Sequence, residues 1–233
     1  MYALEMGCDG KTVAMPGQRV RGFAAIELYG FIWVWPCTSV PTPLHLLEWA
    51  ESPDWAYCGG RDHIHCDYRL MVDNLMDLTH ETYVRASSIG QKEIDEAPVN
   101  TKVVDDEVIT SRFMEKIHAP PFWRMALRGN GLPDDQLVDR LQICRFTPPS
   151  HVMIEVGVAL EGKGGYDALP EHKVSSIVVD FSTPETDTLH HYFWDMARNV
   201  KPQDQTSPTR YAKARARSSP RTWKCSSASS KTC

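Results

Sequence analysis

The feature that most constrains this chain is the succession of segments with a two-residue period in its second half. Residues 107–114 alternate Val108, Thr110 and Arg112 against Ile109, Ser111 and Phe113. Residues 140–146 and 151–160 flank the turn residues Thr147, Pro148, Pro149 and Ser150, which predicts an antiparallel hairpin. Val152, Ile154, Val156, Val158 and Leu160 are expected to form the core face of its second arm. Residues 175–181 and 188–196 read as further strands, the last carrying Tyr192, Phe193 and Trp194. Between these, EGKGGYD has neither Walker spacing nor a GxGxxG pattern entering a helix, so it reads as a hairpin connection and not a phosphate cradle. Several antiparallel strands with few helical segments predict an α+β fold in which a curved antiparallel sheet wraps a helix.

The first half is more broken. LEMGCDGKTVAMPG, residues 4–17, punctuates short apolar pieces with Gly7, Asp9-Gly10 and Pro16-Gly17, as tight turns between small strands do. YGFIWVWP, residues 29–36, is an aromatic and β-branched run stopped by proline and is expected to be a strand. Residues 36–53 hold four prolines and form a connector with a short helical turn at 44–50. Residues 57–68 suggest a strand with His63 and His65 on one side and Cys66 on the other. A zinc site from those three lacks a second half at any usual spacing, so a polar face on a half-buried strand is the better reading. Residues 87–99 are polar and are expected to be loop.

Residues 69–85, RLMVDNLMDLTHETYVR, concentrate amide, carboxylate and imidazole groups. In a helix, Asn74, Asp77, His80 and Glu81 share one stripe and Met71, Leu75 and Leu78 an apolar one beside it. That pattern suits a metal or proton-transfer site facing a core, and equally an ordinary amphipathic helix.

Charge divides the chain. The first 200 residues carry 17 basic and 29 acidic groups, a net of −12, whereas residues 201–233 carry eight basic groups and one acid, a net of +7. An acidic body argues against nucleic acid as partner, because phosphate binding needs a basic face. The tail is rich in Ser, Lys, Arg and Thr with almost no aliphatic side chains, which predicts a disordered arm or a change of reading frame near Val200. Seven scattered cysteines without a C-x2-C pair read as reduced thiols, mostly buried. No secretory segment follows Met1 and no run is long enough to cross a bilayer, so a cytoplasmic location is expected.

Asn74, Asp77 and His80 also stand as N-x2-D-x2-H, and DNLMDLTHETYV resembles the iron-binding helix of Rieske non-haem iron oxygenases, whose motif is N-x2-D-x2-H-x4-H. LEMGCDGKTVAMPG, ASSIGQKEIDEAPV, APPFWRMALRGNG and IVVDFSTPETDT extend the resemblance, to the vanillate O-demethylase branch of that family, over residues 4–200. The resemblance implies a helix-grip catalytic domain at residues 37–200, a remnant of the small β Rieske domain at 1–36, and a tail at 201–233. It implies Fe(II) held by two imidazoles and a carboxylate, and electrons from a [2Fe-2S] cluster with two Cys and two His ligands. It assigns His80 as a metal ligand, Asp77 as the acid linking iron to a neighbouring subunit's cluster, and Asn74 to the same motif. The implied reaction inserts one oxygen atom into a methoxy carbon, and the hemiacetal collapses to a phenol and formaldehyde. A flavin- and ferredoxin-type reductase subunit, a small aromatic acid and a homo-oligomer are the implied partners.

Four positions depart from that pattern. Arg85 stands at the second histidine ligand and has no lone pair to donate. Tyr2 aligns with the last cluster histidine, the carboxylate ligand is expected beyond Val200, and the chain is several residues short between Ala25 and Tyr29. The expectation is therefore a vanillate-type oxygenase subunit with impaired iron and cluster sites. The alternative is an inactive, metal-free fragment that retains aromatic-acid binding or subunit association, with Phe122, Trp123, Arg124 and His118 as candidate pocket residues.

Overall fold

The computed structural model describes residues 22–37, 39, 44, 47–80 and 93–200. The alternation in the second half becomes one sheet of seven strands: β3 (Ala56–Ile64), β4 (Val99–Val104), β5 (Glu107–His118), β6 (Leu137–Thr147), β7 (His151–Leu160), β8 (Lys173–Thr186) and β9 (Leu189–Arg198). Their order is β3-β9-β8-β7-β6-β5-β4 and every neighbouring pair is antiparallel. β4 to β9 form a meander in chain order, and β3 closes on β9 from the far side. The sheet is open, with β3 and β4 as its edges.

The strands are long because the alternation is. The turn of Thr147 and two prolines joins β6 to β7 in register from Thr147 opposite His151 to Val138 opposite Leu160. Of the expected core face of β7, Val152, Val158 and Leu160 are buried, while Ile154 and Val156 are half-buried. β5 shifts register between Met114 and Ile117, where Lys116 adopts a positive φ of 55° and its N–H donates to Asp139 Oδ1 at 3.1 Å. Such a bulge bends its strand and raises the local twist, which curves the sheet.

Helices cover one face. The register places Val138, Arg140 and Gln142 of β6 beside Val156, Val158 and Leu160 of β7 and Val174, Ser176 and Asp180 of β8. The valines and leucine of this face pack with Trp123, Ala126 and Leu127 of α3 (Pro121–Gly129), and with Ile94 of α2 (Glu93–Glu96). Proline starts α3 at a position whose N–H would be unsatisfied in any case. Each fully buried side chain of this size contributes about 1.5–3 kcal/mol relative to leaving it in water. α1 (Tyr68–Met76) lies against β6, β7 and β8.

The chain divides into two compact units, Met1–Glu48 and Trp49–Cys233. In the first, β1 (Ala24–Leu28) and β2 (Phe31–Trp35) form a two-stranded antiparallel ribbon, with Trp33 Nε1 donating to the Leu28 carbonyl at 3.0 Å. β2 is the strand expected from residues 29–36. The helical turn expected at 44–50 is a 3-10 turn at Glu48–Glu51. The turns expected in residues 4–17 lie outside the described residues, as does the tail.

Four elements differ from expectation, the first being α2 (Glu93–Glu96), a helical turn inside residues 87–99 where loop was expected. β1 was not foreseen, nor was α3, whose paired prolines at 120 and 121 are followed by only two apolar residues, Phe122 and Trp123, before Arg124. β4 begins at Val99, where loop was expected to end, and all six of its residues are exposed. Its strand conformation comes from pairing with β5 rather than from burial. Among the described cysteines, Cys66 and Cys144 are buried, Cys58 is half-buried and Cys37 is exposed.

Candidate functional site

α1 starts where the sequence supplies a cap. Asp67 has extended backbone and its Oδ1 accepts from the Arg69 N–H at 2.9 Å. The Arg69 guanidinium also donates to both carboxylate oxygens, and these hydrogen bonds hold the Asp67 carboxyl down at about 2. One residue earlier, His190 of β9 is fully buried with Nδ1 at 2.9 Å from the Cys66 carbonyl. A carbonyl can only accept, so Nδ1 is the donor of this hydrogen bond. The entry to α1 is thus pinned to the sheet.

The helix does not run through to Arg85 as expected. It ends at Met76, and Asp77 turns to extended backbone, φ −80° and ψ 106°. The cause is local: Asp77 Oδ1 accepts from the Thr79 N–H at 2.7 Å and from the Thr79 hydroxyl at 2.6 Å. An aspartate that satisfies the backbone two residues ahead competes with helical hydrogen bonding. Asn74 is therefore on the helix, half-buried, whereas Asp77 and His80 lie beyond its end. Of the expected apolar stripe, Leu78 is buried and Met71 and Leu75 are half-buried; Val72, not foreseen, is the buried residue of α1. Glu81, Arg85 and Tyr2 lie outside the described residues.

Asp77 and His80 form the polar pair of the site. His80 Nδ1 is 3.5 Å from Asp77 Oδ2, at the limit of a hydrogen bond. Burial pushes the Asp77 carboxyl up, but the Thr79 hydroxyl and N–H and the neighbouring imidazole outweigh it and hold it below its ordinary value. The pair can orient an imidazole and keep a carboxylate charged beside it. Among the described residues, no second imidazole joins His80. Two imidazoles and a carboxylate on one face define a mononuclear iron site, so the described donor set does not fit one.

The remaining candidates separate. Trp123 is 2% exposed and belongs to the core, with Phe122 packed against it. Arg124 Nε donates to the Asp134 carbonyl at 3.1 Å, and His118 sits exposed at the end of β5. His63, His65 and Cys66 do not converge: Cys66 is buried, His65 is exposed, and His63 Nε2 instead lies 2.6 Å from Glu185 Oε2.

Sequence reasoning missed the polar groups of the helix-covered sheet face. Arg112, Arg140, Gln142, Asp180 and Tyr192 share it by register, all at most 4% exposed. The Tyr192 hydroxyl donates to Asp180 Oδ1 at 2.5 Å, and Arg112 Nε and Nη1 have no hydrogen-bond partner among the described residues. Parity along the strands was the available signal: Arg140 and Gln142 share the face of Val138, an unusual place for charge.

Residues 64–218 match the family described as vanillate O-demethylase oxygenase C-terminal domain, a match covering most of the chain and running past Val200. The chain belongs to that family. With it the chain joins the Rieske oxygenases. It is 69% identical over 211 residues to a vanillate O-demethylase oxygenase subunit of Pseudomonas sp., covering 87% of this chain and 60% of that protein. A second subunit of that description, from another Pseudomonas strain, is 66% identical over 212 residues, covering 87% and 64%. The fold resembles a crystal structure of dicamba monooxygenase bound to 3,6-dichlorosalicylic acid, with a TM-score of 0.77 and 26% identity over 88% of this chain and 59% of that one. The chain spans about three fifths of the length of these relatives.

Proposed function

We propose that this chain serves as the oxygenase subunit of an aromatic O-demethylase acting on vanillate-type methoxy acids. The observation that carries the reading is the 69% identity to a vanillate O-demethylase oxygenase subunit across a stretch that includes Asn74, Asp77 and His80. In this reaction one oxygen atom enters the methoxy carbon, and the hemiacetal releases formaldehyde and leaves a phenol. Electrons are delivered by a flavin- and ferredoxin-type reductase, the partner that an oxygenase component requires, and the working form is a homo-oligomer in the cytoplasm. Residues 1–36 are assigned to the Rieske unit and 37–200 to the catalytic unit.

Iron and a [2Fe-2S] cluster are the cofactors of this reading. An iron at His80 needs donors beyond the described ones. The roles proposed for the chain's own groups are narrower: Asp77 orients the His80 imidazole, and Asn74 backs the pair from the last turn of α1. Arg112 binds the carboxylate of the aromatic acid, because a buried guanidinium whose Nε and Nη1 have no partner among the described residues is matched by a carboxylate. The test supplies vanillate, Fe(II), NADH and a vanillate-demethylase reductase and measures formaldehyde. Formaldehyde in proportion to NADH consumed supports the reading, and NADH oxidation without formaldehyde refutes it. Arg112→Met is expected to raise KM for vanillate at least tenfold with a smaller change in kcat.

One observation favours a second reading, in which the chain is metal-free and keeps aromatic-acid binding alone. Arg85 offers no lone pair, and a single imidazole does not retain labile Fe(II). Iron analysis of the purified protein separates the two: about one iron per chain excludes the metal-free reading.

A further inference from the structure

A second donor cluster lies on the other face of the sheet, and nothing in the demethylation reading uses it. His63 on β3 pairs directly with His191 on β9, and Thr183 on β8 pairs with His191 from the other side. β8 then shifts register between Pro184 and Thr186, so that two residues of β8 oppose one step of β9 and Glu185 is the extra residue. The bulge turns the Glu185 carboxylate onto the histidines: Oε2 is 2.6 Å from His63 Nε2 and 3.6 Å from His191 Nε2. The two imidazoles stack with centroids 4.6 Å apart and planes 12° from parallel. All three donor atoms lie within 4.8 Å of one another.

The chemistry of this set is selective. Two imidazole nitrogens and one carboxylate oxygen suit borderline cations such as Zn2+, Ni2+, Co2+ and Cu2+ better than Ca2+ or Mg2+, which take oxygen ligands. The donors are already on one side of the sheet and need side-chain rotation of a fraction of an ångström to about an ångström to surround an ion at ~2.0–2.2 Å. Their side chains are 36–46% exposed, so the remaining coordination positions are open to water. Phe193, tilted 44° to His191, and His65, tilted 47° to His63, flank the pair.

We propose that His63, Glu185 and His191 form a binding site for a divalent transition-metal cation of the zinc and nickel class. The cation crosslinks three strands, and one of them is the edge strand β3 that leads into Asp67 and α1. Binding displaces any proton shared between His63 and Glu185 and replaces their hydrogen bond with two coordinate bonds.

The full chain, stripped with a chelator and dialysed, is titrated with NiCl2 by calorimetry at neutral pH. One site is expected, lost in the His63→Ala, His191→Ala double variant, weakened at least tenfold by Glu185→Gln, and retained by His80→Ala. Retention in His80→Ala separates this site from the family's iron position. Diethyl pyrocarbonate labelling of the unmutated chain gives a second reading that does not depend on variants folding: nickel should protect His63 and His191 while exposed His118 stays reactive. Unchanged nickel binding in the double variant, or equal labelling of His63 and His191 with and without nickel, overturns the proposal.

Discussion

Gly59 and Gly60 are neighbours on β3, yet alanine at the two positions should have very different consequences. A Cβ on Gly59 would lie 2.2 Å from the Trp194 carbonyl oxygen and 2.5 Å from Asp195 Oδ1. The Asp195 carboxylate can rotate away, but the Trp194 carbonyl belongs to the backbone of β9, next to β3 in the sheet. Relief therefore means moving β3 off β9 by about an ångström, and overpacking of this kind typically costs about 1–3 kcal/mol, occasionally more. With a backbone atom as the obstacle, we expect about 3 kcal/mol. In a unit of this size each kcal/mol shifts Tm by about 2–4 °C, so Gly59→Ala should melt about 6–12 °C lower. At Gly60 the nearest atoms are the Trp194 ring at 3.1–3.4 Å, a side chain that can yield by tenths of an ångström. Alanine there also removes freedom from the unfolded chain, which offsets about 0.4–1 kcal/mol, so Gly60→Ala should stay within about 1 kcal/mol of the parent. Thermal melts followed by far-UV circular dichroism compare the two. Equal Tm values for Gly59→Ala and Gly60→Ala would refute the argument that the Trp194 carbonyl sets the limit.

Other consequences are as direct. Tyr192→Phe removes the hydroxyl that donates to buried Asp180 and should cost about 1–3 kcal/mol by urea unfolding; an unchanged midpoint would show that the pair contributes nothing. Asp77 has a lowered pKa, so its stabilisation is complete above about pH 4 and is lost as pH falls further, whereas Asp77→Asn has no such loss. The Tm gap between parent and Asp77→Asn should therefore narrow from pH 6 to pH 3, and a constant gap would contradict the assigned hydrogen bonds to Thr79. Arg85→His restores a second imidazole four residues after the position that follows His80 in the family motif, and should raise the iron retained after dialysis, measured by metal analysis.

The hairpin of β6 and β7 was legible because a proline turn sits between two alternating runs, so local signals and the global sheet agree. The end of α1 was not. Helical spacing places Asp77 and His80 on one stripe with Asn74, but the Asp77 carboxylate prefers Thr79, a competition that periodicity does not register. β4 escaped because exposed Asn100, Thr101 and Lys102 carry no burial pattern, and its partner β5 supplies the order. For the site, the family motif identified Asn74, Asp77 and His80, whereas the convergence of His63 with Glu185 and His191 depends on register across more than a hundred residues and on one bulge. No spacing rule along the chain encodes that.

The order of the strands has a consequence for how the protein is made. β4 to β9 can pair as they leave the ribosome, each new strand finding the previous one already present. β3 cannot, because its partner is β9, and His63 waits until His191 has been synthesised. At typical synthesis rates the intervening stretch takes on the order of 6–26 s to appear. Throughout that interval a nine-residue strand, and the helix carrying Asn74 behind it, has no ladder to join. Chaperone demand and proteolytic loss during synthesis should therefore concentrate on the segment that bears the family's signature.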